Sequence, residues 1–319
     1  MSAPAKNQTF VQLVQKIFPH SKLLRIWSLK GGISAGMTAL EIEHQDGSTQ
    51  RMIVRQPSEK TLANNPRAAE NEYSILRILH TLGLAVQRPV YLDQSGAIFP
   101  TPYLVIEYIS GKPEFSPSNA ADLPLQLAVH LAKIHSLDCS ALDLSFLPKQ
   151  AVEGSSIPGS HSSNSNQSLS EDRIRDILQS ASPLPPRNPP RLLHGDYWPG
   201  NILWQADKLA AVVDWEDAAV GDPLADFSIS RLDILWIYGM DAMISFTRHY
   251  QSLMSIDYTD LPYWDLSAAL RLARLAGADL AGWAAFFLPF GRTDITEQTI
   301  REHYRFFISQ AFEKLAPRC

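Results

Sequence analysis

Cysteine is scarce in this chain of 319 residues, which contains only Cys139 and Cys319. Two cysteines cannot build a disulfide framework or a structural zinc site, so we expect a protein of the reducing cytoplasm. An excess of basic residues is also missing: 28 Lys and Arg stand against 33 Asp and Glu, which gives a formal net charge of −5. This charge balance predicts no nucleic-acid partner.

The sequence also lacks an apolar run of the roughly 20 residues that a membrane span needs. The most apolar stretch, residues 275–290, is shorter and contains Asp279, so it is predicted to form a buried helix. The N-terminal residues lack the charged-then-apolar pattern of a secretory signal. We therefore expect no membrane association and no export, and the sequence carries no feature that specifies an oligomeric state.

The first hundred residues predict an amphipathic helix followed by a small sheet. Apolar residues at helical spacing between Phe10 and Phe18 predict the helix, which stops before Pro19. Further apolar runs predict five strands, at 23–29, 37–43, 51–55, 90–93 and 103–109. One more helix is predicted at 68–82, between the third and fourth strands. Glycine-rich turns separate the first three strands, which favours antiparallel pairing.

Helical periodicity dominates after residue 110, beginning with Leu127, Leu131, Ile134 and Leu137. We therefore predict a domain boundary there, between residues 1–110 and 111–319. A stretch at about 152–170 is rich in Ser, Gly and Asn and is predicted to be a mobile polar insertion. The fold class is α+β, with an antiparallel five-stranded sheet and a helix in the first part and mainly helices in the second.

Two short strands are predicted in the second part, at 202–204 and 209–213, joined by a four-residue hairpin loop. Pairing these strands is expected to bring Asn201 and Asp214 to the same end of the ribbon. An amide and a carboxylate oxygen suit Mg²⁺, which takes its other ligands from water and substrate phosphates. Asp196 lies in the preceding turn and is a candidate general base.

These residues form a recognisable pattern. His194-Gly-Asp196, then Asn201, then Asp214 thirteen residues later, resembles the aminoglycoside phosphotransferase and choline kinase-like family, with protein kinases as more distant relatives. The resemblance covers about residues 10–235, because further segments occur in the family's order. These are the glycine-containing segment 31–36, Arg55, Glu72, 104–109 and 132–135.

The resemblance implies a two-lobed protein kinase-like fold. Residues 1–110 would form the nucleotide-binding lobe, and residues 111–319 the catalytic and substrate-binding lobe with its catalytic β-hairpin. It also implies ATP and Mg²⁺ as cofactors. Asp196 would accept the proton of a substrate hydroxyl that attacks the γ-phosphoryl group, and His194 would brace the loop. Asn201 and Asp214 would hold Mg²⁺ on the nucleotide phosphates.

Helix phase gives a separate indication about Glu72. The residues three, four and seven positions later are Ile75, Leu76 and Leu79, so Glu72 falls on the apolar stripe and should point inward. A buried carboxylate needs a cation, and Arg55 is the expected partner, at the position where the resembling family has lysine or arginine. An exposed arginine at a strand end and a surface glutamate remain the alternatives.

The remaining nucleotide contacts follow from the resemblance alone. Backbone amides around Gly36, with the Ser34 hydroxyl, would approach the phosphates. Main-chain groups of Glu107 and Ile109, at the interdomain hinge, would hydrogen-bond adenine. A glycine hairpin without a ligand and a core strand are the alternatives for these two segments.

Only six residues separate Asp214 from Gly221, too few for the peptide platform of a protein kinase, so a small-molecule hydroxyl acceptor is predicted. Asp222 and Asp226 are expected to cap or tether this region. Two sets of residues could determine which acceptor binds. An acidic set would attract a polycation: Asp257, Asp260 and Asp265. An aromatic set would hold a quaternary ammonium: Tyr258, Tyr263, Trp264 and Trp283.

Two other functions stay open at this point. In the first, the chain is a catalytically silent nucleotide-binding protein, an idea that the arginine at position 55 and the modest glycine loop motivate. In the second, His194 and Asp196 ligate the metal of a hydrolase, although the other histidines do not pair at ligand spacing.

Overall fold

The computed structural model describes residues 3–29, 34–116, 122–150, 169–276 and 279–316. Contacts between residues divide the chain into two compact units. Unit 1 comprises residues 1–111 together with 210–216, and unit 2 comprises residues 112–209 and 217–319. The chain thus leaves unit 1, returns to it for seven residues and leaves it again.

Unit 1 is built on a five-stranded sheet in the order β1-β2-β3-β5-β4, in which every pairing is antiparallel. Its elements are α1 (Ala3–Ile17), β1 (Lys22–Ser28), β2 (Ala35–Glu43), β3 (Thr49–Pro57), α2 (Glu59–Asn64), α3 (Ala68–Thr81), β4 (Pro89–Asp93) and β5 (Tyr103–Glu107). The five predicted strands and both predicted helices are confirmed, with ends that shift by a few residues. Phe10 and Leu13 of α1 pack with Leu40, Met52 and Val105 of the sheet in a buried core.

Unit 2 is mainly helical. Its elements are α4 (Leu123–His135), α5 (Glu171–Ala181), β6 (Arg191–Leu193), β7 (Ile202–Gln205), β8 (Lys208–Val212, which ends in unit 1), β9 (Ala219–Gly221), α6 (Leu224–Tyr238), α7 (Met240–Leu253), α8 (Leu261–Ala276), α9 (Leu280–Ala285) and α10 (Glu297–Leu315). Helix α6 is buried along almost its whole length and packs against α7, α8 and α10. It is therefore the central helix of this unit.

The predicted hairpin exists, but its loop has two residues instead of four. β7 ends at Gln205 and β8 begins at Lys208, and Ala206 and Asp207 between them have φ of 49° and 58°. Two consecutive residues in the left-handed region are typical of a type I′ turn. Gln126 of α4 supports this turn, because its side chain donates to the Asp207 carbonyl at 3.0 Å and accepts from the Leu209 amide at 3.0 Å.

The prediction of one buried helix over residues 275–290 is wrong. Helix α8 ends at Ala276, α9 is short, and a single 3₁₀ turn follows at Leu288–Phe290. Asp279 starts α9 because its carboxylate accepts from the Gly282 amide at 2.8 Å. Three apolar side chains just beyond α9 are exposed, namely Phe286, Leu288 (53%) and Phe290, whereas Phe287 is buried. In the described ranges no helix is both long and apolar enough to cross a membrane.

Most of the polar insertion predicted at about 152–170 lies outside the described residues. Its described end is packed: Leu169 is buried, and its carbonyl accepts a hydrogen bond from the Tyr304 hydroxyl at 3.2 Å. Leu169 thus packs against the helical core, and the predicted mobility of the rest of the insertion stays a prediction.

Candidate active site

The loop around His194 is fastened to α6 by one buried carboxylate, that of Asp226. Its Oδ2 accepts from the His194 amide at 2.6 Å and its Oδ1 accepts from the Gly195 amide at 2.9 Å. Burial would raise the pKa of Asp226, but the neighbouring His135, at 3.2 Å, together with His194 and its amide, holds the pKa below its usual value. The predicted tether is thus present, and His135 is a further part of it.

His194 and Gly195 give the loop its shape. His194 is fully buried, and its Nδ1 accepts from the Asp196 amide at 3.2 Å. Gly195 has a φ of 83°, and a Cβ at this position would lie 2.1 Å from the carbonyl oxygen of Asp217. Only glycine fits there, so the residue between the histidine and the candidate base is required for steric reasons.

Both carboxylate oxygens of Asp196 accept hydrogen bonds within unit 2. Asn201 Nδ2 donates to Oδ2 at 3.0 Å, and Arg271 Nη2 lies 2.5 Å from Oδ1. Since the amide nitrogen of Asn201 is directed at Asp196, its oxygen is the atom that suits a metal ion. Arg271 was not predicted, because it lies on α8, in a region where the sequence shows only generic helices.

Arg55 of β3 is the centre of a charged cluster within unit 1. Its Nε donates to Glu72 Oε2 at 2.8 Å, and its Nη2 donates to Asp214 Oδ1 at 2.6 Å and to Glu216 Oε2 at 2.9 Å. The side chains of Arg55 and Glu72 are each only 4% exposed. The predicted ion pair is confirmed, and the alternatives of a surface arginine and a surface glutamate are wrong.

Three carboxylates share this one guanidinium, so the cluster carries an excess of negative charge. Burial raises the pKa of Glu72 to about 7, and Asp214 and Glu216 add to this while Arg55 opposes it. Burial, with the charge of Asp214, also raises the pKa of Glu216. Both carboxylates would therefore be stabilised by a further positive charge.

A constrained turn presents Asp214. This residue follows β8 and has a φ of 69°, a conformation in which aspartate is tolerated but which is uncommon for residues other than glycine. The next residue, Trp215, is buried, and its indole Nε1 donates to the Val212 carbonyl at 3.0 Å. The amide of Val212 in turn donates to the Ala85 carbonyl at 2.8 Å. These contacts hold the end of β8 on unit 1.

Ser34 lies next to the same cluster. Its carbonyl accepts from the Ser58 amide at 2.7 Å and from the Thr61 hydroxyl at 3.0 Å. Its hydroxyl donates to Glu216, which opposes part of the rise in the pKa of that carboxyl. Gly36 is less constrained, because a Cβ there would meet only the Gln56 carbonyl oxygen, at 4.0 Å. Gly31 and Gly32, also part of the predicted phosphate loop, lie outside the described residues.

Glu107 and Ile109 lie at and just beyond the end of β5. The carbonyl of Glu107 accepts from the Gln87 side chain at 3.0 Å, and that of Ile109 accepts from the Gly111 amide at 3.0 Å. Both carbonyls thus have partners within unit 1. Their contacts with adenine stay a prediction.

The side chains available as ligands bear on whether this site can bind a metal ion. Among the described residues, no three or more His, Cys, Asp and Glu side chains group as a metal site would require. Mg²⁺ at phosphoryl-transfer sites does not need such a group, because it binds one or two protein oxygens together with water and phosphates. The excess negative charge around Arg55 fits a divalent cation, and a protein-only metal site of the hydrolase type has no support among these residues.

The acidic residues predicted to attract a polycation already have cationic partners. Arg231 Nη1 lies 2.5 Å from Asp265 Oδ1, and Arg187 Nε lies 2.9 Å from Asp260 Oδ2. The remaining one, Asp257, has its Oδ2 4.0 Å from Nη1 of Arg187, and its Oδ1 accepts from the Thr259 amide at 2.8 Å. These carboxylates therefore serve the packing of unit 2 and give no support for a polycationic acceptor.

The aromatic residues predicted to hold a quaternary ammonium do not form one cage. Trp264 is 6% exposed, and the Tyr258 hydroxyl donates to the Met254 carbonyl at 2.9 Å. Trp283 instead packs near Trp198, with ring centroids 6.1 Å apart. Trp283 therefore contacts a residue of the loop around Asp196.

Comparison with known proteins gives both a family and a fold. A family model described as "Phosphotransferase enzyme family" (APH) matches residues 31–286. Acyl-CoA dehydrogenase family member 10 of Mus musculus is 28% identical over 208 residues, which is 57% of this chain and 18% of that protein. Acyl-CoA dehydrogenase family member 11 of Rattus norvegicus is 25% identical over 265 residues, 73% of this chain and 33% of that protein. The chain thus spans only a third or less of the length of these relatives.

The fold is shared with a solved phosphotransferase. The spectinomycin phosphotransferase whose structure is in complex with ADP and spectinomycin superposes with a TM-score of 0.62 at 15% identity, covering 97% of this chain and 98% of that one. At this identity the similarity concerns the fold alone. The predicted α+β, protein kinase-like fold class is confirmed.

Proposed function

We propose, on the premise that this chain belongs to the phosphotransferase enzyme family, that it transfers the γ-phosphoryl group of Mg-ATP to a hydroxyl group of a small molecule. The observation that carries the proposal is the geometry of Asp196, whose two oxygens are held by Asn201 and Arg271 in a loop tied to α6. A carboxylate held in this way is suited to accept a proton from a bound hydroxyl.

Each candidate residue has a role in this reaction. Asp196 accepts the proton of the acceptor hydroxyl while the oxygen of that hydroxyl attacks the γ-phosphorus. His194 supports the backbone of Asp196. Asn201 and Asp214 hold Mg²⁺, which when bound offsets the negative charge of the phosphates. The chain's own contribution is positioning and charge stabilisation, which account for most of the catalysis in phosphoryl transfer.

The nucleotide would bind to residues 1–110, which we propose as the nucleotide-binding lobe, with residues 111–319 as the catalytic and substrate-binding lobe. Arg55, fixed by Glu72, contributes positive charge for the phosphates, and Ser34 and Gly36 contribute hydrogen-bond donors. Main-chain groups of Glu107 and Ile109 bind the base. The low cysteine content supports a cytoplasmic location for this reaction.

The test is an acceptor screen with a matched variant. Wild type and Asp196→Asn are incubated with Mg-ATP and aminoglycosides, macrolides, choline, ethanolamine, homoserine or sugars, and ADP and phosphorylated acceptor are quantified. We expect acceptor-dependent ADP formation by the wild type that the variant loses by about 100-fold or more, in line with the usual contribution of general base catalysis.

Two other results would identify the alternatives. If Mg-ATP raises the melting temperature but no acceptor is turned over, the chain is a catalytically silent nucleotide-binding protein. Metal-dependent hydrolysis of a substrate without nucleotide would instead indicate a hydrolase. The second outcome is disfavoured because His194, its required ligand, is fully buried and its Nδ1 already accepts from the Asp196 amide.

A further inference from the structure

Arg271 contacts the candidate base, Asp196, from a helix that lies outside the motif formed by His194, Asp196, Asn201 and Asp214. It lies on α8, 75 residues after Asp196, and its Nη2 is 2.5 Å from Asp196 Oδ1. On the other oxygen, Oδ2, Asn201 donates at 3.0 Å. Two donors on two separate elements therefore define the plane of this carboxylate, which otherwise rotates freely about its last torsion.

A second carboxyl group influences Arg271. Asp233 of α6 is 7% exposed, and its Oδ1 accepts from the indole nitrogen of Trp236 at 2.9 Å. Burial would lower the pKa of Arg271, but the charges of Asp196 and Asp233, with a smaller effect of Asp217, raise it. The guanidinium thus keeps its charge beside Asp196, the carboxylate that it contacts.

An arginine beside a general base has two opposing effects. Its charge makes the carboxylate a weaker proton acceptor, whereas its hydrogen bond fixes the direction in which the carboxylate accepts. The side chains of Arg271 and Asp196 are 23% and 24% exposed, so solvent weakens the first effect. Orientation is less sensitive to solvent, and a misplacement of about 1 Å costs about 100-fold in rate. Orientation is therefore the larger effect here.

We propose that Arg271 is a positioning residue for the phosphoryl transfer, holding Asp196 in the orientation that receives the hydroxyl proton. This inference rests on the proposed function. In the step itself, the acceptor oxygen forms a bond to the γ-phosphorus and its proton moves to Asp196. The bond from the γ-phosphorus to the β–γ bridging oxygen breaks, and ADP leaves with that electron pair. Arg271 forms no covalent bond.

The experiment measures ADP formation from Mg-ATP, with water as acceptor and with any acceptor found in the screen. Arg271→Met removes the charge and the donors at similar length, and Arg271→Lys keeps the charge but loses the planar donor group. We expect Arg271→Met to lower kcat by about 10- to 100-fold with the KM for ATP changed less than about twofold, and Arg271→Lys to recover part of the loss. Arg274→Met, at an exposed position one turn away on α8, is the matched control and should leave kcat unchanged.

A double-mutant cycle distinguishes positioning from a general structural role. If Arg271 acts through Asp196, Arg271→Met should cause no further loss in the Asp196→Asn background. An equal loss in both backgrounds, an unchanged kcat or a rise in the KM for ATP that explains the loss would overturn the inference. A higher kcat in Arg271→Met would also overturn it, because Arg271 would then block the base.

The same cycle on melting temperatures tests the contact without any turnover. The ion pair predicts that the two substitutions are non-additive in stability, and additivity would remove the structural basis of the inference. Active wild-type protein with an unaffected Arg271→Met variant contradicts the inference alone. Wild-type protein that forms no ADP with water or with any acceptor contradicts the proposed function, and the inference fails with it.

Discussion

Arg55 Nη2 lies 2.6 Å from Asp214 Oδ1, which joins β3 to the turn after β8 within unit 1. The same guanidinium holds Glu72 and Glu216, so a single buried cation compensates three carboxylates. Its removal would leave buried negative charge without a partner, which is much more costly than the loss of an exposed ion pair.

Arg55→Met is therefore expected to destabilise the protein by about 3–5 kcal/mol. Urea unfolding followed by circular dichroism measures the change. Arg51→Met is the control on the same strand: Arg51 is 49% exposed and pairs with Glu41 at 2.8 Å, so its loss should cost about 1 kcal/mol or less. Equal effects of the two substitutions would show that the cluster is not a buried charge centre.

Asp214→Ala should abolish the stabilisation that Mg-ATP gives to the wild type. Binding at 100 times the dissociation constant stabilises a protein by about 2.7 kcal/mol, which is readily seen as a rise in melting temperature. The measured quantity is the increment on adding Mg-ATP, because Asp214→Ala also alters the baseline through Arg55. Asp241→Ala, at an exposed position on α7, should keep the full increment. A full increment in Asp214→Ala would place the cation elsewhere.

Asp233→Asn should become more stable relative to the wild type as the pH rises. Burial raises the pKa of Asp233 from 3.8 to about 7, although Arg271 opposes this. Between these values the folded state binds the extra proton, so the contribution of Asp233 to stability is present below about pH 4 and lost as the pH rises through 7. The asparagine does not titrate. The wild type is expected to lose at most about 4 kcal/mol of folding stability through Asp233 as the pH rises from about 4 to above 7.

Melting temperatures of wild type and Asp233→Asn at pH 5 and pH 8 provide the measurement. The side chain of asparagine can still accept a hydrogen bond from Trp236. This hydrogen bond is therefore present in both proteins and does not contribute to the difference between them. A difference between the two proteins that does not change with pH would mean that Asp233 ionises normally in the folded state.

Gly195→Ala should destabilise the protein by more than left-handed strain alone and should eliminate turnover. Its φ of 83° and the carbonyl oxygen of Asp217, 2.1 Å from the position of the new Cβ, leave no space for a methyl group. Gly291→Ala is the control, since Gly291 has a φ of 76° and a ψ of 9° but no atom within 4 Å of its Cβ position. The control should cost about 1–2 kcal/mol. A similar cost at both positions in urea unfolding would show that the loop around Gly195 can move.

Local patterns in the sequence were sufficient for much of the sheet and for one long-range contact. Helix phase placed Glu72 on the inner face of α3, and the cost of an unpaired buried carboxylate then made Arg55 its partner, as the structure has it. This worked because α3 is regular and its apolar stripe is unbroken from Ile75 to Leu79. Periodicity is reliable for such segments.

Other contacts have no local signal. The approach of Glu216 to Arg55 depends on the return of residues 210–216 to unit 1, and that of Arg271 to Asp196 depends on how α8 packs in unit 2. The two-residue hairpin loop was missed because Ala206 is a poor turn residue, and the support it receives from Gln126 comes from a distant helix. Tertiary contacts of this kind are invisible to spacing and periodicity.

The excursion of residues 210–216 into unit 1 has a practical consequence for anyone who wishes to express parts of this protein. No single cleavage separates the two units: a fragment that stops near residue 111 would carry Arg55 but neither Asp214 nor Glu216. Its remaining partner, Glu72, would still pair with the guanidinium. Dissection would have to graft the seven-residue segment onto the shorter piece, for example through a flexible tether or as a peptide supplied separately.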